Sequence, residues 1–521
     1  MFPGHPKFLC GPHDFLLSEK MIITSAKGNH YYLSPSIPQI FFIHPILKEF
    51  IELEENGTDL RIWLEKKMAS VGETSLIANE NKYYYRFFQF LKEKDFFNKI
   101  KKVPLEDIRS YSAEFIKMQL ANTDQISFEV TDACNLKCYY CGYGELYCGY
   151  DKRNRKKMSM KTAKRLLDYM IALKRSHLNT KTHRRIGISF YGGEPLLNFP
   201  FIRSMVEYVK GIKLDSIDFI FVMTTNGVLL DRYMDFLAAN RFTLLISLDG
   251  DKNHNGYRVY PDSQDSYTTV FNNALKLKEK YPEYFRRFVN FISVMHDKNN
   301  VYQVIKFFHD HFNKRPLTVG ICTVGVKPEK YSEFERIKKS IMSKSEIEQM
   351  QEMMSKAKVK DPPTFNNMDV FIKRYCGFVY NRLDAFFSKS EQAEYVTTGT
   401  CHPFEKKVFL TVNGKILPCE RILQSHASGK ADDHGVQLDF QKIADYYNSL
   451  YDNCKNKCNA CSRSSWCGQC IFQLNPKPGE FNCKNFLSRE EFQKRSWSIM
   501  SLLEESPEFY DRIMKQKKGV T

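Results

Sequence analysis

The sequence predicts an α/β protein: a parallel sheet built from six strand-and-helix units, with a small unit before it and a cysteine-dense region after it. Three observations point there. From residue 125 to about 330, apolar strand segments alternate with helical ones. Ahead of them a hairpin signal precedes three amphipathic helices, and behind them cysteines crowd into residues 396–490. At 521 residues the chain is too long for one ordinary core, so several domains are expected.

Residues 1–100 read as a separate unit. Met21-Ile22-Ile23-Thr24 and Tyr31-Tyr32-Leu33 flank Lys27-Gly28-Asn29, apolar and β-branched residues around a glycine turn, which predicts a hairpin. Pro45 opens a helix with Ile46, Leu47, Phe50 and Leu53 on one face and Gly57 as its stop. Leu60, Trp63 and Leu64 mark a second helix, and Tyr84, Phe87, Phe88 and Leu91 a third. In element order, a hairpin followed by three helices resembles the winged-helix module called the RiPP recognition element, which holds the leader of a ribosomally made precursor peptide. The resemblance implies a strand edge beside a helical groove that accepts the leader as an added strand. A small structural domain packing on the next one is the alternative.

The central region, residues 120–330, begins with the strand Gln125 to Thr131 and a helix carrying Leu166, Leu167 and Met170. Further strands are expected at Ile186 to Tyr191, Phe219 to Thr224, Phe242 to Leu248, Phe288 to Val294 and Leu317 to Val324. In such sheets ligands sit at the carboxyl ends of the strands, where the polar motifs of this chain fall. Residues 331–395, charged and helical with Pro362-Pro363, read as a bridge, residues 396–490 as a cysteine-rich domain and residues 491–521 as a closing helix.

Composition narrows the partners. The net charge is +17, but lysines and arginines are scattered, with short runs such as Lys152-Arg153-Asn154-Arg155-Lys156-Lys157 and Lys515-Gln516-Lys517-Lys518. No recognition motif accompanies them, so no nucleic acid is expected, and a basic surface equally suits an acidic peptide. No apolar run approaches the ~18 residues that cross a bilayer, and Met1 to Lys7 lack an apolar signal core. A cytoplasmic protein without a membrane partner is expected, whose fifteen cysteines are then reduced thiols or metal ligands.

Cys134, Cys138 and Cys141 place three thiols on one short loop. Three thiolates can hold three irons of a cubane 4Fe-4S cluster and leave the fourth iron open, which implies chemistry rather than support. With the aromatic Tyr140 ahead of the third cysteine, this pattern resembles that of the radical S-adenosylmethionine (radical SAM) enzymes. The resemblance implies a partial (β/α)6 TIM-type barrel and S-adenosylmethionine (SAM) chelated to the open iron. One strand later, Gly192-Gly193-Glu194-Pro195 matches the family's motif for the SAM amino group; two glycines permit close approach and a carboxylate suits an ammonium. Thr225-Asn226-Gly227 closes the next strand and Ser247-Leu248-Asp249-Gly250 the one after. The resemblance places Ser247 and Arg258 near the methionyl carboxylate, although the family's spacing between them is usually one residue longer and a surface role is the alternative for Arg258. Tyr140, Gly192, Gly193, Glu194, Asn226, Ser247 and Arg258 are thus the expected cofactor-binding residues.

A second cysteine group follows. Cys401 is separated by twelve residues from Gly414, which precedes Cys419, and then come Cys458-x2-Cys461-x5-Cys467-x2-Cys470 and Cys483. This resembles the seven-cysteine SPASM extension of radical SAM peptide and protein maturases, which binds two auxiliary 4Fe-4S clusters. The last gap of the block is two residues where the family often has three, and Cys454 is extra. Carried over, Cys401, Cys419 and Cys470 would ligate the first auxiliary cluster, and Cys458, Cys461, Cys467 and Cys483 the second. Cys376 or Cys454 would supply a fourth ligand to the first, or that position is open to substrate. Zinc bound by four thiolates is the alternative, but seven ligands divide poorly into such sites. Glu420 follows Cys419, where the related sulfatase-maturing enzymes carry an acid that takes a proton from the substrate radical, so it is a candidate general base. An ion pair with Arg421 is its structural alternative.

Together these features predict a radical SAM/SPASM oxidoreductase that matures a ribosomally synthesised peptide, with thioether or carbon-carbon crosslinking as the expected outcome. Its partners would be the precursor peptide and a one-electron donor such as flavodoxin or ferredoxin. One alternative is a sulfatase-type maturase making formylglycine from Cys or Ser, against which stand the roughly 130 residues ahead of the cysteine loop. The other is a non-enzymatic, metal-stabilised scaffold or adaptor.

Overall fold

The structure, a computed structural model, describes residues 21–33, 40–72, 74–94, 96–97, 102–103, 111–181, 184–214, 217–338, 395–396, 401–462, 467, 469–474, 483, 486–505 and 507. The expected bridge is described only at its two ends. Cys10, Cys376 and Pro362-Pro363 lie outside the described residues, as does the closing helix beyond residue 507.

The N-terminal unit is an antiparallel sheet of β1 (Met21–Thr24), β2 (His30–Leu33) and β3 (Ile40–Ile43), followed by helices Pro45–Glu55, Leu60–Val71 and Leu76–Glu93. The His44 ring accepts from the Ile46 N–H at the first helix's start, and Gly57, with φ of +74°, lies just beyond its end. Tyr32, Leu47, Phe50, Leu64 and Phe88 close a core of their own. The hairpin and three helices agree with the sequence reading, whereas β3 is additional. Ile40-Phe41-Phe42-Ile43 is apolar throughout and offers no alternation; its pairing with β2, from His30↔Ile43 to Leu33↔Ile40, makes it a strand. The third helix also differs in its outward face. Phe88 is buried, but Phe87 points out with Tyr83 and Phe90.

After the two-residue strand β4 (Lys102–Val103) comes the central sheet. β5 (Gln125–Thr131), β6 (Arg184–Gly192), β7 (Ile217–Thr225), β8 (Thr243–Ser247), β9 (Val289–Met295) and β10 (Leu317–Gly320) are all parallel and stand side by side in chain order. Helices Met160–Arg175, Phe199–Lys210, Leu230–Ala239, Tyr267–Lys280 and Val301–Phe312 connect them. The six expected strands are thus present, the last one short because residues 321–324 leave the sheet. Phe128 of β5 stacks edge-on against Phe201 of a covering helix, and successive strand residues face opposite ways, so Glu129 points to the other face.

The cysteine-dense region continues this sheet. β11 (Tyr395–Val396) pairs with β4, while β12 (Lys407–Leu410) lies parallel to β5, from Lys407↔Gln125 to Leu410↔Phe128. Beyond it β13 (Lys415–Leu417), β14 (Gly429–Ala431) and β15 (Val436–Leu438) follow antiparallel. The final helix, Arg489–Glu505, returns to the first hairpin, where the Glu504 carboxylate accepts from the Tyr31 hydroxyl at 2.6 Å and the Asn29 amide at 2.9 Å. Met21, Ile23 and Leu33 share a core there with Cys461, Phe492 and Met500. Among the described residues no helix is long and apolar enough to cross a membrane.

Candidate functional site

β5 ends at Thr131, and the loop beyond it carries the three cysteines without regular secondary structure. Its backbone is satisfied by other segments. Gly193 and Glu194 donate N–H groups to Thr131 and Ala133 carbonyls at 2.8 and 2.9 Å, and Asp132 donates to Lys156 at 3.2 Å. Lys137 and Tyr139 donate to Val259 and Tyr257, the carbonyls on either side of Arg258, at 2.7 and 3.0 Å. A β-carbon on Gly193 would lie 2.1 Å from the Ala133 oxygen, and one on Gly192, whose φ is +126°, 2.3 Å from the Thr131 oxygen. The close approach that the glycines permit is therefore that of the cysteine loop's own backbone.

The thiols of Cys134, Cys138 and Cys141 are partly enclosed. The Cys134 sulfur accepts from the Leu136 N–H at 3.4 Å and the Asn226 amide at 3.7 Å, and the Cys141 sulfur from the Arg153 guanidinium at 3.7 Å. Burial pushes the Cys134 thiol up and Cys138 up to about 12, and in both the neighbouring thiols of the loop add to the rise. Thiolates on one loop, two of which already carry N–H donors aimed at sulfur, suit a multinuclear cluster that absorbs their charge. Among the described residues no three His, Cys, Asp or Glu side chains are grouped to hold a metal ion.

Two buried carboxylates frame this loop. Glu194 accepts from Leu196 N–H, the Thr225 hydroxyl and Asn226 N–H at 3.0, 2.9 and 2.7 Å, and so ties the end of β6 to the end of β7. Burial pushes it up to about 7, against those hydrogen bonds. The Asn226 side chain reaches Asn135 of the cysteine loop at 2.7 Å. Asp249, just past β8 and fully buried, accepts from Arg258 at 3.0 Å, the Val294 N–H at 2.8 Å and the Tyr140 hydroxyl, with His296 beside it at 3.6 Å. Burial alone would raise Asp249; the Arg258 guanidinium and its hydrogen bonds hold it below the usual carboxylate range. Arg258 is therefore a buried residue rather than a surface one, and Ser247, at the end of β8, is buried too.

On the β5–β12 side, Glu420 is held by Lys407, whose ammonium lies 2.9 Å from both carboxylate oxygens; Arg421 stands at 4.0 Å. Burial would raise Glu420, but the Lys407 charge keeps it low. Cys419 is pushed up to about 12, by burial first, with Glu420 and Cys470 adding to it. Cys401 is exposed. The Cys454 thiol is buried and donates to the Tyr451 carbonyl at 3.3 Å, and the Cys461 sulfur accepts from Leu487 N–H at 3.4 Å. Cys458, Cys470 and Cys483 pack against the main core.

Sequence reasoning missed Asp249, His296, Glu129 and Arg153. Asp249 carried a signal, a carboxylate at the end of an apolar strand as Glu194 is. Arg153 sat in a basic run that looked like a solvated face.

Residues 128–341 match the radical SAM superfamily. The chain thus carries a radical SAM domain, whose cofactors are a 4Fe-4S cluster and SAM. It is 27% identical over 192 residues to an uncharacterised protein, MJ0907, of Methanocaldococcus jannaschii, 34% of this chain and 61% of that one. It is also 27% identical over 180 residues to a cysteine-type anaerobic sulfatase-maturating enzyme of Clostridium novyi, 34% of this chain and 45% of that enzyme. The chain thus spans less than two thirds of either relative. Among solved structures, Streptococcus suis SuiB bound to precursor peptide SuiA matches at a TM-score of 0.40 and 16% identity, covering 90% of this chain and 99% of SuiB.

Replacing Asp249 with Ala leaves the buried Arg258 charge uncompensated, at an expected cost of about 3–5 kcal/mol. The apparent melting temperature of the metal-free chain should fall by on the order of 10 °C, and an unchanged transition would show that the ion pair supports nothing.

Proposed function

We propose that the chain is a radical SAM/SPASM maturase of a ribosomally synthesised precursor peptide, installing a thioether or carbon-carbon crosslink. The observation that carries this reading is the cysteine loop at the end of β5, with N–H donors on its sulfurs, in a sheet that runs on through β12 into the cysteine-dense region. A cluster and SAM held there would supply, with one electron from a flavodoxin or ferredoxin, the reductive cleavage of SAM to methionine and a 5'-deoxyadenosyl radical able to take a hydrogen atom from the peptide.

The protein's part is to hold and orient. Cys134, Cys138 and Cys141 hold the cluster, and Gly192, Gly193, Glu194 and Asn226 fix the walls around it. Arg258, whose Nε is buried without a partner, and Ser247 would hold the SAM carboxylate. Cys401, Cys419 and Cys470 would hold one auxiliary cluster, and Cys458, Cys461, Cys467 and Cys483 another. Auxiliary clusters held there would supply an acceptor for the substrate's electron, and Glu420 is placed beside Cys419 to take its proton.

The leader peptide would add to β3, which pairs with β2 alone among the described strands. Phe42 is 65% exposed there. His44, just past β3, stacks on Tyr84 at 4.3 Å, so this edge adjoins the helix whose Tyr83, Phe87 and Phe90 rings form an exposed row. An extended strand on the edge and apolar side chains on that row satisfy both backbone and side-chain demands. The second reading, formylglycine formation, is favoured by the Clostridium novyi relative and uses the same cysteine loop and acid.

Three experiments test these assignments. Changing Cys134, Cys138 and Cys141 together to Ala should abolish 5'-deoxyadenosine formation while sparing auxiliary iron; persisting deoxyadenosine rejects the ligand set. Glu420→Gln should cut modified peptide by about 10²-fold and leave deoxyadenosine formation intact. Mass spectrometry of the co-expressed precursor reads both, since each crosslink removes two hydrogens. Phe87→Asp with Phe90→Asp should weaken leader binding at least tenfold and leave uncoupled SAM cleavage unchanged, whereas unaltered binding in calorimetry points to the sulfatase-type reading.

A further inference from the structure

Of the basic run Lys152 to Lys157, Lys152, Arg155, Lys156 and Lys157 are exposed, but Arg153 turns inward. Its segment is tied along the end of β5. Asn154 N–H donates to the Asp132 carboxylate at 2.9 Å, the Lys156 carbonyl accepts from the Thr131 hydroxyl at 2.6 Å, and Met158 N–H donates to Val130 at 3.0 Å. At the segment's start Asp151 pairs with Lys415 at 2.6 Å and accepts from Asn413 at 2.7 Å. The guanidinium so placed lies over the Tyr143 ring, 4.4 Å from its centroid, and donates to the Cys141 sulfur at 3.7 Å. Its Nε is buried without a partner, and its charge is felt by the buried Glu129 carboxylate of β5.

We propose that Arg153 sets the reduction potential of the cluster on Cys134, Cys138 and Cys141 by donating a hydrogen bond to the Cys141 sulfur and placing a fixed positive charge beside it. The inference rests on the ligand assignment made above. Adding one electron makes a cysteine-ligated cluster more negative, so a cation and an N–H donor at its sulfur stabilise the reduced form more than the oxidised one and raise the potential. The electron comes from a one-electron donor protein, and no bond forms or breaks in the step. Arg153 touches no substrate; it acts through Cys141 and is a positioning residue. Asn226 and the Leu136 N–H serve Cys134 in the same way but without charge.

The test is a potentiometric titration of the anaerobically reconstituted full chain, reduced with dithionite and followed by EPR at the signal that shifts when SAM is added. That signal separates this cluster from auxiliary ones. Arg153→Met should lower the midpoint by at least a tenfold change in the reduced-to-oxidised ratio, 59 mV for one electron. Arg153→Lys, which keeps the charge, should stay closer to the unmodified chain. A midpoint in the Met variant equal to that of the unmodified chain overturns the proposal, and a Lys variant that falls as far as the Met variant overturns the role of charge. Should the Met variant fail to take up iron, Arg153→Gln is titrated instead, and an unchanged midpoint there is equally fatal. Absence of any SAM-responsive signal in the unmodified chain defeats the ligand assignment itself, a separate result.

Discussion

An irregular loop at the strand ends of a parallel sheet has no ladder of its own, so every buried N–H and carbonyl in it must find a partner elsewhere. The cysteine loop meets this constraint by borrowing from three distant stretches: the turn after β6, the segment around Lys156, and the residues flanking Arg258. Its geometry is thereby coupled to strand register. The β5–β6 pairing shifts between Glu129 and Thr131, bringing Thr131 opposite Gly192, and the following N–H groups then reach Thr131 and Ala133. Thiol spacing in the sequence is only half of the site; the sheet supplies the rest.

Two acids at the ends of alternate strands show how environment divides one chemistry into two. Glu194 is enclosed by neutral donors and sits near 7, so both protonation states are accessible near neutrality. Asp249 is just as buried but faces a guanidinium and stays ionised. The first ties strand ends together; the second fixes Arg258, and through it the loop that Val259 and Tyr257 hold.

Much of this was legible beforehand. β5 and β6 are buried along most of their length and read as apolar runs, and the cysteine spacings are local in sequence. What escaped was what tertiary pairing decides. β3 is a strand because β2 is beside it, not because Ile40-Phe41-Phe42-Ile43 alternates. Nothing in Lys407–Leu410 announces that it will lie parallel to β5, so a region expected as a separate domain shares the central sheet. Glu420 was paired in the sequence reading with its neighbour Arg421, whereas Lys407, across β12 and β13, holds it more closely. Arg153 differs from the exposed cations around it only in direction, which composition does not encode.

The shared core of β1, β2 and the helix Arg489–Glu505 has a bearing on biosynthesis. Met21 and Ile23 emerge from the ribosome more than 460 residues before the Phe492 and Met500 that cover them, a delay on the order of tens of seconds at typical elongation rates. Until translation nears its close, the outer flank of the first hairpin stays bare. The nascent chain must keep that flank from sticking to other surfaces, and the amino-terminal module reaches its finished form last rather than first.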